Sequence, residues 1–328
     1  MDLNRRLLFV FGKGGVGRST ISSALGLAWS RRGANTLIVQ WSLTDSIGPV
    51  FGVDPVEHKH ALIRPNLSVM NYRETEALRE YFVEHLGMNL LYKFVIDNKQ
   101  VSRLIEASPG LAELFFLGRL FWLVELAEKE RGLRFERIIV DAPATGHGGA
   151  LFGIVSAISE FQFAGPLIDE TRRVTRLIRD QSKTGALIVT LPEEMPVDES
   201  LELIPKLEAD LHAPPIGIFL NRSLVGSANG ADKPPLNEIA SAFAMHESAH
   251  ESEIVSAVTD RLSQPASRSG VQALYSDLRR RVQMEVRLRK ESPLAVQSIP
   301  DVLLYNPLAR PLQRVEFLAD CMQGALDA

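Results

Sequence analysis

Nine residues near the N-terminus, Gly12-Lys13-Gly14-Gly15-Val16-Gly17-Arg18-Ser19-Thr20, have the composition and spacing needed to hold a polyphosphate. Their glycines let successive backbone N–H groups turn inward on one anion, and a helix starting directly after them adds its dipole. The pattern Gly-x4-Gly, a basic residue and then a hydroxyl residue is that of a phosphate loop, with Arg18 where lysine is expected. Ser19 supplies the hydroxyl that such a loop places on Mg²⁺. Lysine is a compact point charge, whereas a guanidinium is larger and planar. Arg18 can therefore neutralise phosphate, though not from the same place. A second chemical residue, Asp141, ends the apolar run Arg137-Ile138-Ile139-Val140. A carboxylate at a strand end is well placed to hold Mg²⁺ through water.

For these groups to meet, a strand must deliver the loop and a helix must carry it away. Leu7–Phe11 is a continuous apolar run of the kind found in buried parallel strands. Residues 19–32 read as a helix with Ile21, Leu25, Leu27, Ala28 and Trp29 on its apolar face, ended by Gly33. Residues 36–39 make a second strand, which completes a βαβ unit. Further strands are expected at 137–140, 186–190, 216–220 and 302–305, with a helix over 196–211. The alternation predicts an α/β fold: a doubly wound, mostly parallel sheet of the P-loop NTPase type. Two stretches break the alternation and are expected as helical insertions at about 74–131 and 226–291, forming a subdomain of one domain over residues 1–328. The first is interrupted at Pro109-Gly110; the second opens as a polar loop with Pro234-Pro235 and firms into a helix over 271–290.

Composition narrows the function class. The chain has 328 residues, 45% hydrophobic and 23% charged, with a net charge of −4. That is ordinary for a globular protein and argues against nucleic acid as a partner, which needs a concentrated basic surface. The single cysteine, Cys321, cannot form an internal disulfide, a zinc clasp or an iron–sulfur ligand set, and reads as a small apolar residue in a reducing compartment. The N-terminal apolar run is too short for a signal sequence, and no stretch reaches the ~20 apolar residues of a membrane span. The expected location is cytoplasmic, with peripheral membrane contact open.

Longer motifs extend the comparison. Gly12-Lys13-Gly14-Gly15-Val16-Gly17-Arg18-Ser19-Thr20 resembles the deviant Walker A loop, with its early lysine, shared by partitioning, septum-site, nitrogenase-iron-protein and arsenite-pump ATPases. Residues 137–147, ending Asp141-Ala142-Pro143-Ala144-Thr145-Gly146-His147, look like the DTAPTGH switch II of arsenical-pump and guided-entry ATPases. Pro109-Gly110-Leu111-Ala112-Glu113 is similar to that family's PGIDE element, Thr190-Leu191-Pro192-Glu193 to its VTIPE strand end, and Phe219-Leu220-Asn221-Arg222 to its VVNQ strand end. The chain is thus identified as resembling the ArsA-like (arsenical-pump/guided-entry) ATPases, in family order along nearly its whole length. The resemblance implies ATP and Mg²⁺ as ligands, with Ser19 and Asp141 at the metal. It also implies Thr145, Gly146 and His147 sensing the γ-phosphate state, Asn221 reading adenine, and Lys13 reaching a dimer partner's nucleotide.

Departures from the pattern matter as much. Gln40-Trp41-Ser42-Leu43-Thr44-Asp45-Ser46-Ile47 lies where the family carries STDPAHSL. Anchoring on Ser46-Ile47 puts Ser42 at the position of the water-activating aspartate, and a serine cannot serve as a carboxylate base. Sliding the register would recruit Asp45 instead. With Arg18 and Ser42 both changed, weak hydrolysis is expected. The family's cysteine-based metalloid and zinc sites are absent from the sequence, so no zinc or metalloid site is expected. The leading expectation is an ATP-dependent dimer switch, a homodimer or a heterodimer with an ArsA-like paralogue, coupled to a hydrophobic protein or membrane client. Alternatives are a pseudo-ATPase partner of an active paralogue and a partitioning-type ATPase. His246-Glu247-Ser248-Ala249-His250 matches a zincin spacing but sits in a polar insertion, where an exposed segment is the better reading. The apolar helix from Leu111 to Glu128 is expected in the core, with a client groove as the sharper alternative.

Overall fold

The computed structural model describes residues 1–80, 111–142, 166–211, 214–224 and 268–326. Eight strands form one sheet in the order β3-β4-β2-β5-β1-β6-β7-β8. They are β1 (Leu7–Phe11), β2 (Thr36–Gln40), β3 (Ala61–Arg64), β4 (Leu67–Asn71), β5 (Arg137–Asp141), β6 (Thr184–Thr190), β7 (Gly217–Ser223) and β8 (Val296–Pro300). All neighbours pair in parallel except β3 with β4. The expected mostly parallel α/β architecture is therefore present.

Alternation along β1 sets the layers, because successive side chains point to opposite faces. Leu7, Phe9 and Phe11 enter one core layer, while Leu8 and Val10 enter the other. The second layer is covered by α1 (Arg18–Arg31) and the C-terminal helix Pro311–Met322, through Ile21, Leu25 and Ala28 on one and Val315, Leu318 and Met322 on the other. The first layer takes α2 (Glu74–Arg79) and α3 (Leu111–Phe121). It also takes the helices Pro166–Arg179 and Glu194–Leu211 and the end of Arg268–Glu291. From α3 onward, Phe116, Leu117, Leu120, Trp122, Leu123 and Val124 are all buried, so this apolar helix is core. Among the described residues no helix is long and apolar enough to cross a membrane.

The structure corrects several sequence expectations. Val302–Tyr305, expected as a strand, is a short helix whose first turn is capped by Asp301, Oδ1 accepting from the Leu303 amide at 3.2 Å. The last strand lies just before it, where Gln297 and Ser298 concealed the apolar pattern. The antiparallel β3–β4 pair was not anticipated, because β3 is short and only Ile63 of its four residues is buried. In the helix Arg268–Glu291, expected over 271–290, Arg281 pairs with Asp301, Arg287 with Asp198, and Arg289 with buried Glu285. Cys321 is half-buried, and its thiol is pushed up to about 11, chiefly by burial. Residues 109–110, 143–165 and 246–250 lie outside the described residues, so the Pro109-Gly110 break, Thr145, Gly146, His147 and the zincin-like spacing do too.

Candidate functional site

β1 sits between β5 and β6, while β2 lies beyond β5, so the chain changes direction across the sheet at β1. Ligands of doubly wound sheets bind outside the strand C-termini at such a switch point. The loop 12–20 leaves β1 there, next to the ends of β2 and β5. Gly12 has φ 153, and a β-carbon on it would lie 2.3 Å from the Val189 carbonyl oxygen of β6. Gly15 and Gly17 are left-handed, at φ 89 and 94. Added β-carbons at Gly14 and Gly15 would meet nothing within 4 Å, so the loop surface is open where a phosphate would approach. The Ile21 amide donates to the Gly17 carbonyl at 2.9 Å, which starts α1 with its N-terminus at the loop.

Three side chains converge at the strand ends. Ser19 Oγ donates to Asp141 Oδ2 at 2.6 Å, and Gln40 Nε2 donates to the same oxygen at 3.1 Å. Asp141 is only 7% exposed, and its Oδ1 has no hydrogen-bond partner. A buried carboxylate oxygen without a donor is costly unless a cation or water completes it. Among the described residues no three His, Cys, Asp or Glu side chains converge, so a cation here would take its other ligands from phosphate and water, as Mg²⁺ does. Hydroxyl and carboxylate thus fit the hard cation that a nucleotide brings.

Burial raises the Asp141 carboxyl above its ordinary value, against hydrogen bonds from Ser19 and Gln40 and the charge of Arg18, which lower it. The folded group therefore binds a proton more tightly than the unfolded one. Stability is lost as pH rises through the folded value, and the penalty persists above it. Asp141→Asn should consequently melt at higher temperature than the wild type at neutral pH without nucleotide or Mg²⁺. The same variant should lose the Mg²⁺ dependence of nucleotide binding. Paired melting and titration curves check both halves.

The remaining expected site residues fall as follows. Arg18 turns its guanidinium to the Ala142 carbonyl at the start of the stretch after β5. Its pKa is lowered by burial, with Asp141 opposing. Lys13 Nζ pairs with Glu199 Oε1 on the helix Glu194–Leu211 at 2.7 Å. Ser42 Oγ donates to the Thr44 carbonyl, and its amide donates to Asn71 Oδ1 at 3.3 Å. Asp45 is buried, with its carboxylate accepting from the amides of Ile47, Gly48 and Val56 at 2.8, 3.0 and 2.8 Å. A carboxylate so engaged holds a loop and has little capacity left to accept a hydrogen bond from water. Asn221, expected to read a base, donates from Nδ2 to the Val16 carbonyl at 2.8 Å and accepts the Arg222 amide at 3.0 Å.

Sequence reasoning missed Gln40, Asn71, Arg73 and Glu199. Gln40 joins the metal-side carboxylate to the following loop, exchanging hydrogen bonds with Ser46 Oγ at 2.8 Å and the Ser46 amide at 3.1 Å. Its signal was present: a long amide directly after the apolar run Leu37-Ile38-Val39, in a strand that is wholly buried. Arg73 donates to the Leu43 carbonyl at 2.7 Å and fixes the tip of that loop, where Leu43 is 92% exposed. Trp41, between Gln40 and Ser42, packs on Phe116 of α3 at 4.9 Å and on Tyr72 at 5.4 Å.

The chain is similar in sequence to several known ATPases. A model of the anion-transporting ATPase family matches residues 5–164. The ATPase BagA of Mycobacterium tuberculosis is 29% identical over 229 residues, covering 67% of this chain and 65% of its own. An arsenical pump-driving ATPase of Escherichia coli is 29% identical over 230 residues, covering 66% of this chain and 35% of its own. An ATPase of Chlamydomonas reinhardtii is 26% identical over 288 residues, 69% of this chain and 36% of its own. The chain thus spans less than two thirds of the length of these relatives.

Proposed function

We propose that the chain, which is similar to the anion-transporting ATPases, is an ArsA-like ATPase that binds Mg·ATP on residues 12–20, turns it over slowly, and uses the nucleotide to switch a dimer that engages a protein or membrane client. The observation that carries the binding step is the Ser19–Asp141 contact with its partnerless, buried Oδ1. Mg²⁺, when bound, would neutralise phosphate charge. Ser19 and Asp141 would hold it, and the amides of the loop would orient the phosphates. Slow turnover is supported by the absence, among the described residues of this loop region, of a carboxylate free to act as base. Ser42 has no acid, and Asp45 is engaged by three amides.

Coupling to a client is supported by the aromatic contact between the nucleotide side and α3. Trp41, Tyr72 and Phe116 make a mutual cluster, the last pair at 4.8 Å, so a shift of the loop after β2 bears directly on α3. Such pairs contribute about 0.5–1.5 kcal/mol each, enough to transmit a bias of that size. Hydrogen exchange tests this coupling. A non-hydrolysable ATP analogue with Mg²⁺ should change exchange over residues 111–131 of the wild type. In Trp41→Ala that change should vanish while nucleotide affinity moves less than about fivefold. Unchanged exchange in the wild type, or an identical response in the variant, would remove the coupling.

A second reading is a nucleotide-holding subunit that pairs with a catalytically complete relative. It is favoured by the arginine at 18 and the serine at 42. Lys13, engaged in cis by Glu199, would in either assembly have to leave that carboxylate to reach a partner's phosphate. The readings separate on whether the purified chain alone shows any Mg²⁺-dependent turnover.

A further inference from the structure

Gln40 is the last residue of β2 and stands opposite Asp141, the last residue of β5, in the parallel pairing of the two strands. It is 2% exposed. A leucine or methionine would fill such a place at no polar cost, whereas a buried amide needs partners for its donors and its acceptor. Gln40 finds them on two sides. Its Nε2 donates to Asp141 Oδ2 at 3.1 Å and to Ser46 Oγ at 2.8 Å, while its Oε1 accepts the Ser46 amide at 3.1 Å. The loop that leaves Gln40 at Trp41 therefore returns to the same side chain at Ser46. The backbone below is fixed separately, the Tyr72 amide donating to the Gln40 carbonyl at 2.7 Å.

The same amide decides how the carboxylate is presented. Ser19 Oγ and Gln40 Nε2 both donate to Oδ2, so the oxygen left for a cation is the buried, partnerless Oδ1. We propose that Gln40 is a positioning residue of the metal site. Its amide sets which Asp141 oxygen faces Mg²⁺ and ties that carboxylate to residues 41–46, so that metal binding and loop order form one linked equilibrium. The inference rests on the Mg·nucleotide reading above and adds to it the side chain that carries metal occupancy to the loop. Hydrogen-bond partners of a ligating carboxylate orient it, and losing one costs about 10–100-fold in metal affinity. Linkage makes the effect reciprocal: where the carboxylate holds the loop, the loop holds the carboxylate, and loosening either weakens the other. Trp41 opens this loop, so Gln40 also stands directly before the residue that packs on Phe116.

The test is the ratio of affinities for a non-hydrolysable ATP analogue with and without Mg²⁺, measured by calorimetry on the full chain and three variants. The wild type should show a ratio well above one. Gln40→Met, similar in length but without donors, should lower it about tenfold. Ser46→Ala removes one hydrogen bond at an exposed residue and should lower it about three- to fivefold. The double variant should fall no further than Gln40→Met, because without the amide Ser46 has no route to the carboxylate. A merely structural role would lower the melting temperature and both affinities alike, and leave their ratio unmoved. Hydrogen exchange over residues 41–47 supplies a second readout. Adding Mg²⁺ to the analogue-bound chain should change it in the wild type and not in Gln40→Met. A wild-type ratio in Gln40→Met, or losses that multiply in the double variant, overturns the inference and leaves the metal site standing. Should Gln40→Met fail to fold, Ser46→Ala decides alone, and an unchanged ratio there overturns the inference. A wild type whose affinity ignores Mg²⁺ overturns the metal reading itself, and this inference with it.

Discussion

Replacing Arg18 by lysine and Ser42 by aspartate together is expected to raise single-turnover ATP hydrolysis by about 100-fold or more. The guanidinium of Arg18 is drawn to the Ala142 carbonyl. A lysine there is shorter in its charged end, has no planar fork to match that carbonyl, and can follow the phosphates. Ser42 already sits at the turn after β2, held by the Asn71 side chain at its amide. An aspartate on the same backbone would present a carboxylate that Thr44 cannot satisfy through its carbonyl, leaving it available to orient water. The two changes act on one transition state, charge stabilisation and water positioning. The double variant should therefore exceed the product of the singles. A wild type that already hydrolyses as fast as the double variant would show that neither substitution limits turnover.

Gly17→Ala is expected to weaken Mg·nucleotide binding by about 100-fold or more while the chain stays folded. At φ 94 an alanine is strained, and its β-carbon would lie 2.4 Å from Nδ2 of Asn221. Asn221 is buried and holds the Val16 carbonyl, so relief of that clash must move the loop itself. The stability cost is about 1–3 kcal/mol, which a domain of this size survives. Gly132→Ala is the control. It is left-handed at φ 64 with nothing within 4 Å of an added β-carbon, so it shares the backbone strain without touching the site. It should lose comparable stability and keep full affinity. Calorimetric titration and thermal melts on the three proteins check this. Equal affinity of the Gly17 variant and the wild type would mean the loop does not hold the ligand.

The glycine loop, the buried strands β1, β2, β5, β6 and β7, and the strand-end aspartate were all legible in the sequence. Each is a local pattern: an apolar run closed by glycine, or a run closed by a carboxylate. Residues whose roles depend on distant approach were not legible. Glu199 meets Lys13 across 186 positions, and Gln40 meets Asp141 across 101, so nothing in their own neighbourhoods announces the contact. Asn221 illustrates a different limit. Its motif position was visible, but its contact with the loop backbone beside a β-bulge was not. Strand β8 was hidden by the polar residues Gln297 and Ser298, and the apolar run after it was mistaken for the strand although Asp301 caps it as a helix. Asp45, legible as an acid, turned out to be spent on three backbone amides.

The most direct measurement is a calorimetric titration of a non-hydrolysable ATP analogue into the full chain, with and without Mg²⁺, beside Gly17→Ala and Asp141→Asn. If residues 12–20 hold the phosphates and Ser19 with Asp141 holds the metal, the wild type binds and Mg²⁺ tightens it. Gly17→Ala should then bind far more weakly than the wild type in both conditions, and Asp141→Asn should bind without responding to Mg²⁺. Absence of binding to the wild type, or binding that neither variant alters, would contradict a nucleotide site at the end of β1.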